Sequence, residues 1–301
     1  MFKKKDNPLK RGDEVIVPAV SWATTYYPLY QYGLHLKFVD VNLETLNMDM
    51  DALKAAVTDK TRLIFAVNLL GNPNEFDAIQ EIIKGKNITL LEDNCESLGG
   101  MYGGKTLGSI GLMGTYSTFF SHHMATMEGG VVGTDDEELY DILLSIRSHG
   151  WTRHLPKENK LCVKSDNNFE ESWRFILPGY NVRPVEMMGA IGVEQLKKLP
   201  EFIRHRRQNA EYFKKLFSGD DRFILQREVG QSSWFGFSFL INKGFEIDRK
   251  HIIDVLTKAN IETRPIVAGN FARKEVVKWF DYEICGDLKN ADYIDAYGFF
   301  I

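Results

Sequence analysis

Cysteine is scarce in this 301-residue chain, and its placement excludes two classes of protein. Only Cys95, Cys162 and Cys285 are present, and no two of them form a Cys-x-x-Cys pair. This spacing argues against both a disulfide framework and a thiolate metal site. We therefore expect a protein of the reducing cytoplasm.

Long apolar runs and a strong charge of one sign are also missing. The basic start, Met1 to Asp6, lacks the apolar run of a signal peptide, and no later stretch could span a bilayer. The net charge of -4 and the pI near 6.0 indicate neither nucleic acid nor an anionic membrane as the main partner. With 44% hydrophobic residues, the composition suits a globular enzyme of one large or two unequal domains.

Short apolar segments alternate with helix-compatible segments through the first half of the chain. The expected strands are 13–19, 36–41, 62–67, 88–93, 114–119 and 129–133, and the expected helices lie near 22–33, 51–57, 75–84 and 137–148. Most strands are apolar at consecutive positions, which is typical of strands covered on both faces. The pattern predicts an α/β domain with a mostly parallel sheet, in which Asp93 and Ser117 lie at or near ligand-binding strand ends.

The second half has a different pattern, which predicts a smaller α+β domain. A turn-rich break at 177–181 sets the expected domains at 1–178 and 179–301. The expected elements are a helix from Pro184 to about Leu199, a helix over about 201–217, a strand within 233–241, a helix over 247–259 stopped at Asn260, and a short strand over 261–266.

Lysine is absent from residues 108–143, and a pair of histidines lies within that stretch. His122 and His123 follow Ser117 and precede the pair Gly129-Gly130. Two adjacent side chains rarely converge on one metal ion, and no third ligand stands at a suitable spacing. The sequence therefore predicts no metal site, and the histidine pair needs another explanation.

The flanking motifs supply that explanation through a family resemblance. The loop from Tyr116 to Gly130, the Glu92-Asp93-Asn94-Cys95-Glu96 segment and the Gly179-Tyr180-Asn181-Val182-Arg183 segment resemble the DegT/DnrJ/EryC1/StrS family of sugar aminotransferases. The resemblance covers the chain from Gly12 onward and implies an aspartate-aminotransferase-like, fold-type I α/β enzyme that uses pyridoxal 5′-phosphate (PLP). Family members attach PLP to a lysine seven residues before the Gly-Gly pair. His122 occupies that position here.

The resemblance also implies roles for five further residues. Asp93 would face the pyridine nitrogen, Trp22 would stack on the ring, Ser117 would bind the phosphate and Glu96 would approach the phenolic oxygen. Asn181 would reach the cofactor of a neighbouring subunit, which implies an obligate homodimer with shared sites. From the residues alone, Asp93 could equally be a helix cap, Trp22 a core aromatic and Asn181 a turn residue.

A histidine cannot hold PLP covalently, so the resemblance implies a dehydratase that uses the pyridoxamine form of the cofactor. Its expected reaction removes the C3 hydroxyl of GDP-4-keto-6-deoxymannose, with L-glutamate as amino donor and ammonia as a product, as in the synthesis of dideoxysugars such as colitose. An imidazole suits both proton removal and proton donation near neutral pH. Candidate partners for the substrate diphosphate are Arg153, Arg183 and Arg264.

Two alternatives remain at this point, an ordinary PLP-dependent nucleotide-sugar aminotransferase and a truncated, non-catalytic homologue. The second arises because family members carry several dozen residues before the strand that begins here near Asp13. That segment includes a loop that binds the cofactor phosphate through backbone N–H groups. We expect residues 1–12 to lack this loop and the chain to stop before the family's last strand and helix.

Overall fold

The computed structural model describes all 301 residues. The strands are β1 (Glu14–Pro18), β2 (His35–Val39), β3 (Thr61–Val67), β4 (Thr89–Asp93), β5 (Met101–Tyr102), β6 (Lys105–Thr106), β7 (Met113–Ser117), β8 (Gly130–Gly133), β9 (Phe223–Leu225), β10 (Ser238–Ile241), β11 (Tyr282–Cys285) and β12 (Gly298–Phe300). The helices are α1 (Ala23–Gln31), α2 (Met50–Ala56), α3 (Phe76–Ile83), α4 (Glu137–Ile146), α5 (Asn168–Glu171), α6 (Glu186–Leu216), α7 (Arg249–Lys258) and α8 (Lys289–Tyr297). Short 3₁₀ turns occur at Leu69–Gly71, Phe271–Arg273 and Glu275–Trp279.

Seven strands form the central sheet in the order β11-β2-β1-β3-β4-β7-β8. All neighbours are parallel except β7 and β8, which confirms the predicted α/β class. Side chains alternate between the faces of the sheet, so Val15 and Val17 join one apolar cluster while Ile16 joins another. Burial of both faces explains why the strands are apolar at consecutive positions.

Helix α6 differs from the sequence prediction, which placed two helices on either side of Pro200. One helix of 31 residues runs through that proline. Proline removes one backbone hydrogen bond and crowds the preceding turn. Burial of Leu199, Ala210 and Phe213 stabilises the helix around and after this proline, and it offsets the lost backbone hydrogen bond. Neither α6 nor any other helix is long and apolar enough to cross a membrane.

The expected strands 233–241 and 261–266 also need correction. Only Ser238–Ile241 pairs as a strand, in a small antiparallel sheet of order β12-β10-β9. Trp234 has φ of 51°, which takes the chain out of the extended conformation before β10. The segment 261–266 makes only an isolated bridge between Arg264 and Phe300.

The predicted domain boundary at 178/179 does not separate the two sheets. Strand β11 comes from the C-terminal region but pairs in parallel with β2, at the edge of the central sheet. Helix α8 then contributes Ala291 and Ile294 to the largest apolar cluster, which also contains Val15 and Val17. The C-terminal region therefore builds both the small sheet and one edge of the large one.

Candidate active site

Neighbouring parallel strands end together at one edge of the central sheet, where they open onto a cavity of about 620 Å³. The predicted site residues that line it are Trp22, Asp93, Glu96, Ser117, His122 and Arg264. This position agrees with the rule that ligands bind outside the carboxyl ends of parallel strands. Six residues from distant parts of the sequence are thus brought to one place by the order of the strands.

Asp93 is the last residue of β4, and its carboxylate is held in place from two sides. Thr25 Oγ1 donates a hydrogen bond to Oδ2 at 2.8 Å, and the backbone N–H of Cys95 donates to Oδ1 at 3.1 Å. Ser21 Oγ lies 2.8 Å from Thr25 Oγ1 and supports it in turn. No cation pairs with Asp93, although only 8% of the residue is exposed. A buried anion without a counter-ion is costly, so this carboxylate is suited to a cationic ligand.

Glu92 lies next to Asp93 but has a different role. Its side chain is fully buried, and its carboxylate accepts hydrogen bonds from the backbone N–H groups of Gly108, Ile110 and Gly111 at 2.6–2.8 Å. Successive side chains of a strand point to opposite faces. Glu92 therefore anchors the loop before β7, while Asp93 faces the cavity.

Glu96 lines the cavity beyond Asp93. Its Oε2 accepts a hydrogen bond of 2.9 Å from the backbone N–H of Leu70. Burial, together with the nearby charge of Asp93, raises the pKa of Glu96 to about 7. Glu96 can therefore exchange a proton near neutral pH, at the place where the family resemblance puts the phenolic oxygen of the cofactor.

The His122 loop connects β7 to β8 and is closed at its neck by backbone hydrogen bonds. Thr118 N donates to Gly129 O at 3.0 Å, and Thr126 N donates to Thr118 O at 2.8 Å. Gly129 has φ of 133°, and a Cβ atom there would lie 2.8 Å from Thr118 Oγ1. Glycine is therefore required at the neck, which explains the first residue of the Gly-Gly motif.

His122 presents one edge of its ring to the cavity. Nδ1 is buried without a hydrogen-bond partner, whereas Nε2 is not enclosed in this way. The ring centre lies 5.2 Å from that of Phe235 and 5.9 Å from that of Phe119. Burial lowers the pKa of His122 below its usual value; Asp93 opposes this shift and Arg264 adds to it. The imidazole is therefore neutral at pH 7 and can accept a proton.

Trp22 and Ser117 complete the part of the cavity around Asp93. The Trp22 side chain is 59% exposed although it is large and apolar, so a flat face remains free beside the cavity. Ser117 Oγ accepts a hydrogen bond from the backbone N–H of Phe119 at 3.2 Å, which leaves the hydroxyl proton free to donate. These groups fit PLP: a carboxylate for the pyridinium, an aromatic face for the ring and a hydroxyl donor for the phosphate.

Three predicted residues do not line the cavity of their own chain. The Arg153 guanidinium lies 4.5 Å from the centre of the Trp151 ring, and Arg183 donates to Asn181 Oδ1 at 3.3 Å. Both arginines and Asn181 are exposed. Contact of Arg153 and Arg183 with substrate, and of Asn181 with the cofactor of a second copy of the chain, remains a prediction. Arg264 does line the cavity and is paired with Glu262.

Sequence reasoning missed Phe235, Ser21 and Thr25 as parts of the site. Phe235 contacts the His122 ring and lines the cavity from a segment more than 100 residues away in sequence. A hydrophobic stretch with alternating aromatics gave no signal for this role. Ser21 precedes helix α1 and Thr25 lies in its first turn, and this spacing of four residues is the feature that indicates their contact.

Known proteins are similar to this chain over nearly its whole length. Residues 6–298 match the DegT/DnrJ/EryC1/StrS aminotransferase family. The chain is 60% identical over its full length to the GDP-4-keto-6-deoxy-D-mannose 3-dehydratase of Yersinia pseudotuberculosis, and it covers 77% of that protein.

Two solved structures of GDP-4-keto-6-deoxymannose-3-dehydratase are similar over all of this chain and 78% of their own, each with 59% identity and a TM-score of 0.98. One contains a trapped PLP-glutamate geminal diamine. The other is a mutant with bound GDP-perosamine. Since the family match spans nearly the whole sequence, this chain belongs to the DegT/DnrJ/EryC1/StrS aminotransferase family.

Proposed function

We propose that this chain is a PLP-dependent sugar 3-dehydratase that removes the C3 hydroxyl of GDP-4-keto-6-deoxymannose. The observation that carries the proposal is the imidazole of His122 in the cavity next to Asp93, where the family has a lysine. The 60% identity to a dehydratase of this substrate supports the choice of reaction. L-glutamate is the proposed amino donor, in keeping with the glutamate adduct of a similar structure.

The bound cofactor would supply an electron sink, and the chain's residues would hold it and move protons. The Asp93 carboxylate would keep the pyridine nitrogen protonated, since the site offers that nitrogen a buried anion. Trp22 would cover one face of the ring, and Ser117 would donate to the phosphate. Because Thr25 and Cys95 fix the carboxylate, the electrostatic partner is in place before the cofactor binds.

His122 would act as both base and acid. Its lowered pKa keeps the ring neutral at pH 7, so Nε2 can accept a proton. The same nitrogen can then donate that proton to the C3 hydroxyl as the hydroxyl leaves as water. A general acid–base residue contributes about 10²- to 10⁴-fold to a rate. A lysine would instead capture PLP covalently, and residues 108–143 contain none, which disfavours an aminotransferase.

We also propose that the active form is a homodimer with shared sites. The surface around Asn181 carries exposed apolar side chains, namely Trp173, Phe175, Tyr180, Val182, Val185 and Met187. All six lie within residues 173–187, and exposed apolar side chains that cluster in this way favour an interaction site. A second copy covering this face would bring Asn181, Arg183 and Arg153 towards the partner's cavity. The three free cysteines are compatible with a cytoplasmic dimer.

The reaction itself is tested by mixing the protein with PLP, L-glutamate and GDP-4-keto-6-deoxymannose and then measuring ammonia and sugar products. Ammonia with a 3-deoxy sugar is the expected result. An amino sugar without ammonia would identify an aminotransferase instead, and no product would indicate a non-catalytic homologue. A His122→Asn variant is the matched control, since it should bind PLP but release no ammonia.

The shared site is tested by mixing two inactive variants, His122→Asn and Asn181→Ala. If each cavity combines His122 of one copy with Asn181 of the other, a mixed dimer has one intact cavity. Random exchange of subunits then restores about a quarter of the parent activity. No recovery after confirmed subunit exchange would show that the sites are not shared.

A further inference from the structure

We propose that His123 is a positioning residue: by binding the carbonyl of Ser233 it fixes the strap, defined here as residues 232–235, and so holds the Phe235 ring against His122. The strap lies between helix α6, whose Arg206 binds Phe235 O, and the 3₁₀ turn at Leu69–Gly71, whose Leu70 O accepts from Phe235 N. The inference rests on the proposed function only for its catalytic readout. The contacts of the strap and the expected change in the titration of His122 do not depend on that function.

His123 makes the contact that connects the histidine loop to the strap. Only 3% of His123 is exposed, and its Nε2 lies 3.2 Å from Ser233 O. A carbonyl oxygen can only accept, so Nε2 carries the proton and the ring is the neutral Nε2–H tautomer. Burial and the nearby Arg206 lower the pKa of His123 to about 3, which keeps this donor unchanged over the working pH range.

Two arginines of α6 hold the same segment. Arg206 donates to the carbonyls of Trp234 and Phe235, each at 2.9 Å. Arg207 Nε donates to Ser232 O at 3.1 Å. With the contact from His123, every carbonyl oxygen of the strap accepts a hydrogen bond from an arginine or from the histidine ring. Such a set of donors fixes a segment that has no strand partner.

The opposite edge of the strap is bound to the 3₁₀ turn. Ser233 N donates to Gly71 O at 3.1 Å, and Phe235 N donates to Leu70 O at 2.9 Å. A Cβ atom on Gly71 would lie 2.6 Å from Trp234 N, so the close approach requires glycine. Leu70 N binds Glu96, so the strap is connected to the cavity on this side as well.

The result is a fixed aromatic ring beside the catalytic imidazole. The ring centre of Phe235 lies 5.2 Å from that of His122 and 5.7 Å from that of His123. Phe235 thereby excludes water from one side of His122 and limits its rotation. The titratable and charged groups that line the cavity with His122 or lie beside its ring are Asp93, Cys95, Glu96, His123, Glu128 and Arg264. None of them belongs to the strap, so its effect on His122 is steric and through desolvation.

The test is a titration of ¹³C-labelled histidines in the full-length protein, compared between His123→Phe and His123→Gln. The His122 signal is identified by its loss in His122→Asn. Phenylalanine keeps the ring but cannot donate to Ser233 O, so we expect His122 to titrate at higher pH as water reaches it. Glutamine can donate from a similar position and should restore the parent titration. His251→Phe, an exposed surface change, is the control.

Activity provides the second readout. In His123→Phe, kcat should fall about tenfold or more, because small displacements of a catalytic group are costly, while KM changes little and the acid limb of the kcat profile moves to higher pH. An unchanged His122 titration in folded His123→Phe, or a failure of glutamine to rescue it, would overturn the inference. If His123→Phe does not fold, Phe235→Leu must move the titration in the same direction. Absence of ammonia from every variant would instead count against the dehydratase alone, since the titration needs no substrate.

Discussion

His123 should make the folded protein sensitive to mild acid. The unfolded chain protonates this residue below its ordinary pKa of 6.5, whereas the folded protein holds it neutral down to about 3. Between these values the unfolded state binds more protons, so stability falls as the pH falls. Each pH unit in this window lowers the free energy of unfolding by about 1.4 kcal/mol. Acidification from about pH 6 to about pH 4 should therefore cost about 2.5 kcal/mol through His123 alone, because the unfolded residue is not yet fully protonated at pH 6.

The assay is urea unfolding followed by circular dichroism at several pH values and one protein concentration, for the parent and for His123→Gln. Other groups titrate in both proteins, so the difference between the two slopes isolates His123. The variant should lose about 2.5 kcal/mol less than the parent over that range. His251→Gln, with an exposed histidine, should behave like the parent. Equal slopes for His123→Gln and the parent would refute the claim that this ring is buried in its neutral form.

Three further changes test the cavity and the strap. His122→Lys should bind PLP covalently, seen as a new absorbance band that borohydride reduction makes permanent; reversible binding only would contradict the assigned position. Asp93→Asn keeps the shape of the side chain and one acceptor oxygen but removes the charge, so PLP affinity should fall roughly ten- to a hundredfold by spectroscopic titration, and unchanged affinity would refute the pairing. Gly71→Ala should destabilise the protein by more than Gly85→Ala, since both have positive φ but only Gly71 faces a backbone atom; equal thermal shifts would argue against the close approach of the strap.

Much of the first half of the fold follows from its sequence because strands buried on both faces leave an unmistakable apolar pattern. β4 ends at Asp93, as the pattern predicts, whereas β7 ends at Ser117, two residues before the predicted end of that strand at 119. Pattern alone does not distinguish the roles of Glu92 and Asp93, since both carboxylates end the same apolar strand. Only their alternation across the sheet, seen in the structure, separates the loop anchor from the cavity ligand.

Contacts between distant segments were the part that sequence reasoning could not supply. Phe235 lies in an aromatic stretch that predicts a strand, but buried donors from His123 and Arg206 impose another path on it. The continuous helix through Pro200 was missed for a related reason, because burial along α6 outweighs a local breaker. Arg153 and Arg183 lie outside the cavity of their own chain, and a motif alone does not reveal what these two side chains contact.

Strand β11 gives the C-terminal region a second attachment to the central sheet. Helix α6 leads into the small sheet, and β11 leads back to pair with β2. Because β11 lies between β10 and β12 along the chain, replacing the segment that builds the small sheet would also replace the edge strand of the large one. The small sheet is therefore not an exchangeable module. Recombination between relatives would keep this strand pairing intact only if β2 and β11 came from the same parent sequence.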